Sequence, residues 1–271
     1  MFQDRPLIMG ILNVTPDSFS DGRDFIEPEK AVAHALKMVE EGADMIDVGG
    51  ESTRPGSERV KAQAQIQRLV DVFDALKERL PEHILISIDT TLVSVAEMAL
   101  DRGATFVNDI SAGRDDPEIL LLCAERNVYL SLMHMQGKPL NMQENPGYAD
   151  VVAEVLAFLD TRVMAAMEAG VQRDKLIVDP GIGFGKSSEH NLKLLAHLNQ
   201  LVALGYPILL GASRKRFMGS LLEEPEPKNL VAATCATTAL GVQAGVKIFR
   251  VHDVDANRQA ADTAWAIHLQ R

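Results

Sequence analysis

Cysteine is scarce in this chain: Cys123 and Cys235 are the only two in 271 residues. They lie far apart inside apolar stretches and read as buried small hydrophobes in a reducing cytosol. The N-terminus lacks a cationic segment followed by an apolar stretch and a cleavage site, so no signal peptide is expected. Positive charge is in deficit, with 27 Lys and Arg against 38 Asp and Glu and a formal net charge of −11. A surface of that sign repels polyanions and argues against a nucleic-acid partner. It leaves room for an anionic small molecule held by a local basic patch. Asn229–Val246 carries no charge and is long enough to be scored as a membrane span. Its Thr234, Thr237, Thr238 and Gln243, with several Ala and Gly, make it weakly hydrophobic, so no membrane partner is expected. A helix buried against another protein surface, at a subunit interface, fits it better. Linkers and shifts in composition are missing as well, and residues 1–271 are read as a single domain.

What is present is a full core and a regular rhythm. Hydrophobic residues make up 46% and charged residues 24% of the chain, ordinary for a globular protein. Eight short apolar runs predict strands at Leu7–Asn13, Met45–Val48, Ile84–Asp89, Phe106–Ile110, Val128–Met133, Leu176–Asp179, Ile208–Gly211 and Lys247–Val251. They are rich in Ile, Leu and Val without alternation, as strands covered on both faces should be. Helical periodicity separates them over Glu29–Glu41, Gln65–Leu80, Ser94–Arg102, Pro117–Arg126, Asp150–Ala169, Glu189–Leu204, Lys228–Ala244 and Asp255–Leu269. Glu223–Pro227, rich in proline and acid, breaks a helix and suits a surface loop. Strand then helix, eight times at a spacing of about 34 residues, is the pattern of a (β/α)8 barrel. A doubly wound open sheet is the alternative, and the regularity favours closure.

Every one of these strands ends in polar residues. In such barrels the loops after the strands form the active site, so the clusters converge on one place. Asp89, Asn108 and Asp179 point into one cavity from strands three, four and six. Carboxylates and an amide together read a flat heterocycle with adjacent N–H donors and acceptors. An acidic pair can also hold a divalent metal, but no tight ligand spacing accompanies it. Ser213-Arg214-Lys215 and Arg250-Val251-His252 supply cations after strands seven and eight, where these barrels often bind phosphate. Arg54 and Arg59 add positive charge after strand two, and His134, between two methionines, reads as structural. Asp179–Ser187 ends in Gly-Lys-Ser, but Pro180 stands where a P-loop needs its first glycine, and Lys186 stands where a dinucleotide fingerprint needs its third. Its glycines still let the backbone approach a ligand closely.

Asn13-Val-Thr-Pro-Asp-Ser-Phe-Ser-Asp-Gly22, Asp47-Val-Gly-Gly-Glu-Ser-Thr-Arg-Pro-Gly56, Asn108-Asp-Ile110, Met133-His-Met135, Asp179-Pro-Gly-Ile-Gly-Phe-Gly-Lys186, Ser213-Arg-Lys215 and Arg250-Val-His-Asp253 resemble the dihydropteroate synthase family over essentially the whole chain, in order. The resemblance implies a (β/α)8 barrel, usually a homodimer, that joins 6-hydroxymethyl-7,8-dihydropterin diphosphate to 4-aminobenzoate for folate synthesis. It implies that Asp179, Asn108 and Asp89 bind the pterin edges and Lys215 its oxo side, in a pocket lined by Phe184, Met133, Ile110 and Gly211. By the same resemblance Arg250, His252 and Thr53 hold the diphosphate, Asn13 ligates Mg2+, and Phe19, Arg54, Pro55 and Ser213 shape the aminobenzoate site. Many relatives carry a lysine near position 92, where this chain has Thr90-Thr91-Leu92.

The chemistry implied by that resemblance is electrostatic. The arylamine is neutral at pH 7 and needs no strong base; the difficult event is loss of diphosphate from the methylene carbon. Charge develops on both fragments, so preorganised groups supply most of the help. Asp17, in the first loop, is expected to stabilise the cation and shield it from water. The implied catalytic set is therefore Asp17, Lys215, Arg250 and His252. A pterin- or folate-binding methyl-transfer module of the same barrel is the alternative. It has no diphosphate to expel, so it needs neither the first loop nor the cations after strands seven and eight. A non-catalytic paralogue is the third reading, but it should have lost polar strand ends, and none is missing here.

Overall fold

The computed structural model describes residues 5–15 and 28–271. Its strands are β1 (Leu7–Asn13), β2 (Met45–Gly49), β3 (Leu85–Asp89), β4 (Phe106–Asp109), β5 (Tyr129–Met133), β6 (Leu176–Asp179), β7 (Leu209–Leu210) and β8 (Ile248–Val251). The helices are α1 (Pro28–Glu40), α2 (Ala62–Arg79), α3 (Val93–Asp101), α4 (Glu118–Arg126), α5 (Val151–Glu168), α6 (Ser188–Ala196), α7 (Leu198–Val202), α8 (Arg216–Leu222), α9 (Val231–Ala244) and α10 (Val254–His268).

All eight strands form one parallel sheet, in the order β6-β5-β4-β3-β2-β1-β8-β7. The two ends of that order meet at a parallel bridge between Val178 and Ile208, and the Val178 N–H donates to the Pro207 carbonyl at 3.1 Å. The open-sheet alternative is thereby set aside, and the fold is the expected (β/α)8 barrel.

Parallel strands with helices on the outside bury both faces, which explains the continuous apolar runs. Outward-facing residues such as Ile8, Leu12, Ile46, Val48, Ile88 and Val107 pack under the helices in one large cluster. Inward-facing Met9, Met45, Phe106, Ile177, Leu209 and Ile248 fill the lower barrel in a second, with Leu85 and Tyr129 packed against it. Successive side chains alternate faces along a strand, so two residues further along β2 to β6 and β8 the interior turns polar, while β1 and β7 place Ile11 and Gly211 there. Asp47, Ser87, Asn108, Ser131 and Asp179 are all buried there. The barrel is plugged at one end and polar at the other, which places the site at the C-terminal strand ends.

The helices differ from expectation in three places. Glu189–Leu204 is not one helix: it breaks at His197, whose Nδ1 lies 2.7 Å from the Lys193 carbonyl. That carbonyl would accept the His197 N–H in a continuous helix; the N–H turns to Leu194 at 3.1 Å instead. A short helix, α8, lies between Lys215 and the Glu223–Pro227 loop, where none was expected. Lys228–Ala244 opens with a 3-10 turn over Pro227–Leu230 before α9. Helix α9 ends at Gly245, whose φ of 100° is the left-handed conformation that glycine tolerates. It buries Thr234, Thr237, Thr238, Gly241 and Val242 and leaves Leu240 64% exposed. Cys123 is buried as expected, whereas Cys235 on α9 is only half-buried. No helix among the described residues is long and apolar enough to cross a membrane.

Candidate active site

The centre of the polar layer is Asp47, fully buried at the middle of β2. Its Oδ2 accepts from Arg250 Nε at 2.6 Å and from Asn108 Nδ2 at 3.0 Å, and its Oδ1 accepts from the Ser87 hydroxyl. Arg250 also donates from its terminal nitrogen to Asp89 Oδ2 at 2.7 Å. One guanidinium from β8 thus bridges a carboxylate of β2 and one of β3, reaching across β1, which lies between β8 and β2 in the sheet. Such charges are tolerable in a dry interior only because they are paired. Burial pushes the Asp89 carboxyl upward, against the opposing pull of Arg250. Burial alone would lower the Arg250 guanidinium, but Asp47 and Asp89 outweigh it and hold the cation more firmly than usual.

The walls of the cavity above this layer are apolar. Ile110, Met133, Met135, Met142 and Phe184 form a separate buried cluster from the ends of β4, β5 and β6. Asp179, 5% exposed at the end of β6, accepts from the Gly181 N–H at 2.6 Å. Burial pushes its carboxyl up to about 6, opposed by the Gly181 N–H and by Lys215, Lys186 and Arg250. A methyl on Gly211 would lie 3.9 Å from the Asp179 carboxylate, so β7 contributes bare backbone opposite it. Lys215 places Nζ 4.1 Å from the centre of the Phe184 ring, a cation–π contact. Burial, and then Arg250, lower its ammonium to about 8.

The loop after β6 is held from behind. Lys186, 2% exposed, donates to the carbonyls of Gly181 at 2.9 Å and Phe184 at 3.0 Å, and lies 2.9 Å from His134 Nδ1. His134 is therefore structural, as expected, with burial lowering its imidazole to about 2. Gly181 has φ 66°, and a Cβ there would stand 1.9 Å from the His134 carbonyl oxygen, so only glycine lets the two loops touch. Asp109 is likewise structural: it accepts from the Ser111 N–H at 2.7 Å and the Gly113 N–H at 2.6 Å and shapes the turn after β4.

The loops after β7 and β8 make a cationic corner. The Ser213 hydroxyl accepts from the His252 backbone N–H at 3.1 Å and lies 3.0 Å from His252 Nδ1. Burial lowers the His252 imidazole to about 3, and Arg250, Arg214, Lys215 and Arg54 lower it further in that order. All four cations thus act electrostatically on one ring. Thr53 lines a crevice of about 10 Å³ with Asp89 and Ile110, while Arg54 and Pro55 are exposed at the rim. The Gly56 N–H donates to the Pro139 carbonyl at 2.9 Å and ties this rim to the loop after β5. A methyl on Gly49 would lie 3.7 Å from Asp89 Oδ2 and 3.8 Å from Asn13 Oδ1, so Asn13 and Asp89 flank the same end of β2.

The chain carries this geometry in a known context. Residues 9–252 match the family of pterin binding enzymes. The dihydropteroate synthase of Synechocystis is 45% identical over 264 residues, covering 96% of this chain and 91% of that protein. The solved structure of Xanthomonas albilineans dihydropteroate synthase with 4-aminobenzoic acid has a TM-score of 0.90 at 44% identity, covering 97% of this chain and 93% of that one. The same enzyme in complex with 7,8-dihydropteroate has a TM-score of 0.86 at 42% identity, covering 97% and 94%.

The chain belongs to the dihydropteroate synthase family. As a member of it, the chain is a transferase of folate biosynthesis.

Against the synthase expectations, the described residues bring Asn13, Thr53, Asp89, Asn108, Ile110, Met133, Asp179, Phe184, Gly211, Ser213, Lys215, Arg250 and His252 to one end of the barrel. Asp17 and Phe19 lie outside the described residues. Two of the cations expected to add positive charge are paired with carboxylates. Arg59, which lines the crevice with Thr53 and Asp89, donates to Thr91 at 2.9 Å and pairs with Asp115. Arg214 forms a fork on Asp253, at 2.9 and 2.5 Å, and joins the β7 and β8 loops. Asp47 stands in a quoted motif but carries no expected role, yet it orients both Arg250 and Asn108. Lys186 was missed in the same way.

Proposed function

We propose that this synthase-family chain condenses 6-hydroxymethyl-7,8-dihydropterin diphosphate with 4-aminobenzoate in the cavity above Asp47, releasing diphosphate. The observation that carries this reading is Arg250, clamped between Asp47 and Asp89 beside Asn108 and within electrostatic reach of His252. Carboxylates and an amide that read a heterocycle thereby share one layer with cations that hold an anion. A methyl-transfer module would need only the first set.

In this reading Asp179, Asn108 and Asp89 accept from and donate to the pterin edges, and Lys215 donates to its oxo group. Phe184, Met133, Ile110 and Gly211 enclose the ring. Arg250, His252 and Thr53 hold the diphosphate. With the Ser213 hydroxyl donating to His252 Nδ1, the neutral ring carries its proton on Nε2 and offers it to the leaving oxygens. Phe19, Arg54, Pro55 and Ser213 shape the aminobenzoate site at the rim, and Asp17 covers the reacting carbon.

Asn13 is the residue that would hold Mg2+. The donor set fits: Mg2+ takes oxygen ligands and usually binds through one or two protein groups plus substrate phosphates, and the Asn13 amide oxygen stands at the strand-end rim beside Asp89. When bound, the ion neutralises charge on the departing diphosphate.

With purified protein, pterin diphosphate and Mg2+, diphosphate release is expected to depend on added 4-aminobenzoate, and a sulfonamide is expected to compete with it. Release without aminobenzoate dependence, or none at all, defeats the proposal. Sulfonamide inhibition that aminobenzoate fails to relieve removes the placement of Pro55 and Ser213.

The protein works in the cytoplasm as a homodimer, in this reading, through the outer face of α9 and α10. A groove of about 560 Å³ there is lined by Ala239, Leu240, Ala260 and Ile267, with Leu240 64% and Ile267 56% exposed. Large apolar side chains on a shared face mark an interface. Leu240→Glu is expected to convert dimer to monomer by light scattering at a concentration where the wild type is dimeric. An unchanged mass would remove this face from the interface.

A further inference from the structure

Ser131 is a buried polar side chain that the synthase assignments leave without a role. It is 0% exposed, and its hydroxyl has no hydrogen-bond partner among the described residues. An unpaired buried hydroxyl is costly, and native interiors rarely tolerate one without a reason. Its position supplies the reason. On β5, Ser131 pairs in register with Asn108 on β4 and Ile177 on β6. Strand alternation places it between Tyr129, which packs on the apolar plug, and Met133, which lines the pocket. It thus faces the barrel interior at the floor of the cavity, level with Asn108.

Two neighbouring polar groups in that layer already spend a donor on Asp47. Ser87 donates to Asp47, and the Asn108 amide donates to Asp47 at 3.0 Å. The Ser131 hydroxyl has no such partner among the described residues, so its proton and its lone pairs are both available.

We propose that Ser131 is a further substrate-contact residue, whose hydroxyl hydrogen-bonds the inner edge of the bound pterin directly or through one trapped water. The inference rests on the pterin-binding reading of this cavity. The hydroxyl adds a group able to donate as well as accept, beside the acceptor Asp179 and the amide of Asn108. It therefore contributes to selection of a 2-amino-4-oxo heterocycle over rings with an apolar inner edge. It has no contact with the rim, so aminobenzoate should not sense it.

The test is Ser131→Ala, with Ser131→Cys as a size-matched second variant whose thiol is a poor hydrogen-bond donor. Binding of 6-hydroxymethylpterin is measured by calorimetry, and steady-state constants are measured for both substrates. One lost hydrogen bond predicts affinity for 6-hydroxymethylpterin, and kcat/KM for pterin diphosphate, lower by about five- to tenfold. The KM for aminobenzoate and the kcat at saturation should stay at wild-type values, and the melting temperature of the free protein should not fall. Wild-type pterin affinity in both variants overturns the proposal, as does an equal loss for both substrates, which would signal distortion. If wild-type protein binds no 6-hydroxymethylpterin, the pterin reading itself fails, which separates that outcome from failure of Ser131 alone.

Discussion

Arg250→Ala is expected to lower turnover by at least ~10²-fold, the typical loss when a group that stabilises developing charge is removed. Two effects combine. The diphosphate loses the cation nearest the pterin-reading acids. Asp47 and Asp89 lose the bridge that holds them, with its contacts of 2.6 and 2.7 Å. Removing one partner of a buried pair costs about 3–5 kcal/mol, because the other is left charged in a dry site. The protein can reduce that cost by protonating Asp89, whose carboxyl burial already pushes upward. The sign then follows. A carboxyl raised in the folded state binds more protons there than in the unfolded chain, so the variant gains stability as pH falls. Thermal melts at pH 5.5 and 8 should show the variant's deficit shrinking at the lower pH. Arg250→Lys keeps the charge but lacks the planar fork that spans both carboxylates, and should fall between wild type and alanine in both assays. Wild-type turnover in Arg250→Ala would refute the assigned role.

The barrel was largely legible in the sequence because its physics is periodic. Strands covered on both faces are apolar almost throughout, so Leu7–Asn13 and Ile208–Gly211 stand out against the helices between them. The polar ends of those strands located the site for the same reason: only the outlet of the barrel tolerates them. What was not legible is pairing at a distance. Arg250 and Asp47 are 203 residues apart, and nothing local announces their contact. Burial is equally silent. Lys186 reads as the end of a glycine-rich loop and proves to be a buried clamp, while Arg59 and Arg214 read as added positive charge and prove to be paired with Asp115 and Asp253. The break at His197 hides in a side chain competing for one carbonyl. The helix Arg216–Leu222 is too short to show a period. In each case the sequence lists the groups, and three-dimensional proximity decides what they do.

Asp179→Asn is expected to lower kcat/KM for pterin diphosphate by at least ~10²-fold while leaving the aminobenzoate KM close to wild type, since positioning groups typically carry losses of that size. The amide keeps the shape and can still accept from the Gly181 N–H, but it presents a donor where the carboxylate offered only acceptors. The wild type should lose the same function by titration. Its Asp179 carboxyl is pushed up to about 6 by burial, and protonation places an O–H against the N–H donors of the pterin, so pterin affinity should fall as pH drops through about 6. Stability should move the opposite way. Because the folded carboxyl lies above its usual value, ionising it costs stability at high pH, and the cost is relieved as pH falls from about 6 towards 4. At pH 8 the asparagine variant avoids a cost on the order of 2–3 kcal/mol, and should melt higher than wild type. The gap should close near pH 4. A variant that melts lower at pH 8 and binds pterin normally would show that Asp179 is a structural acid, and would move recognition of the pterin to Asn108 and Asp89.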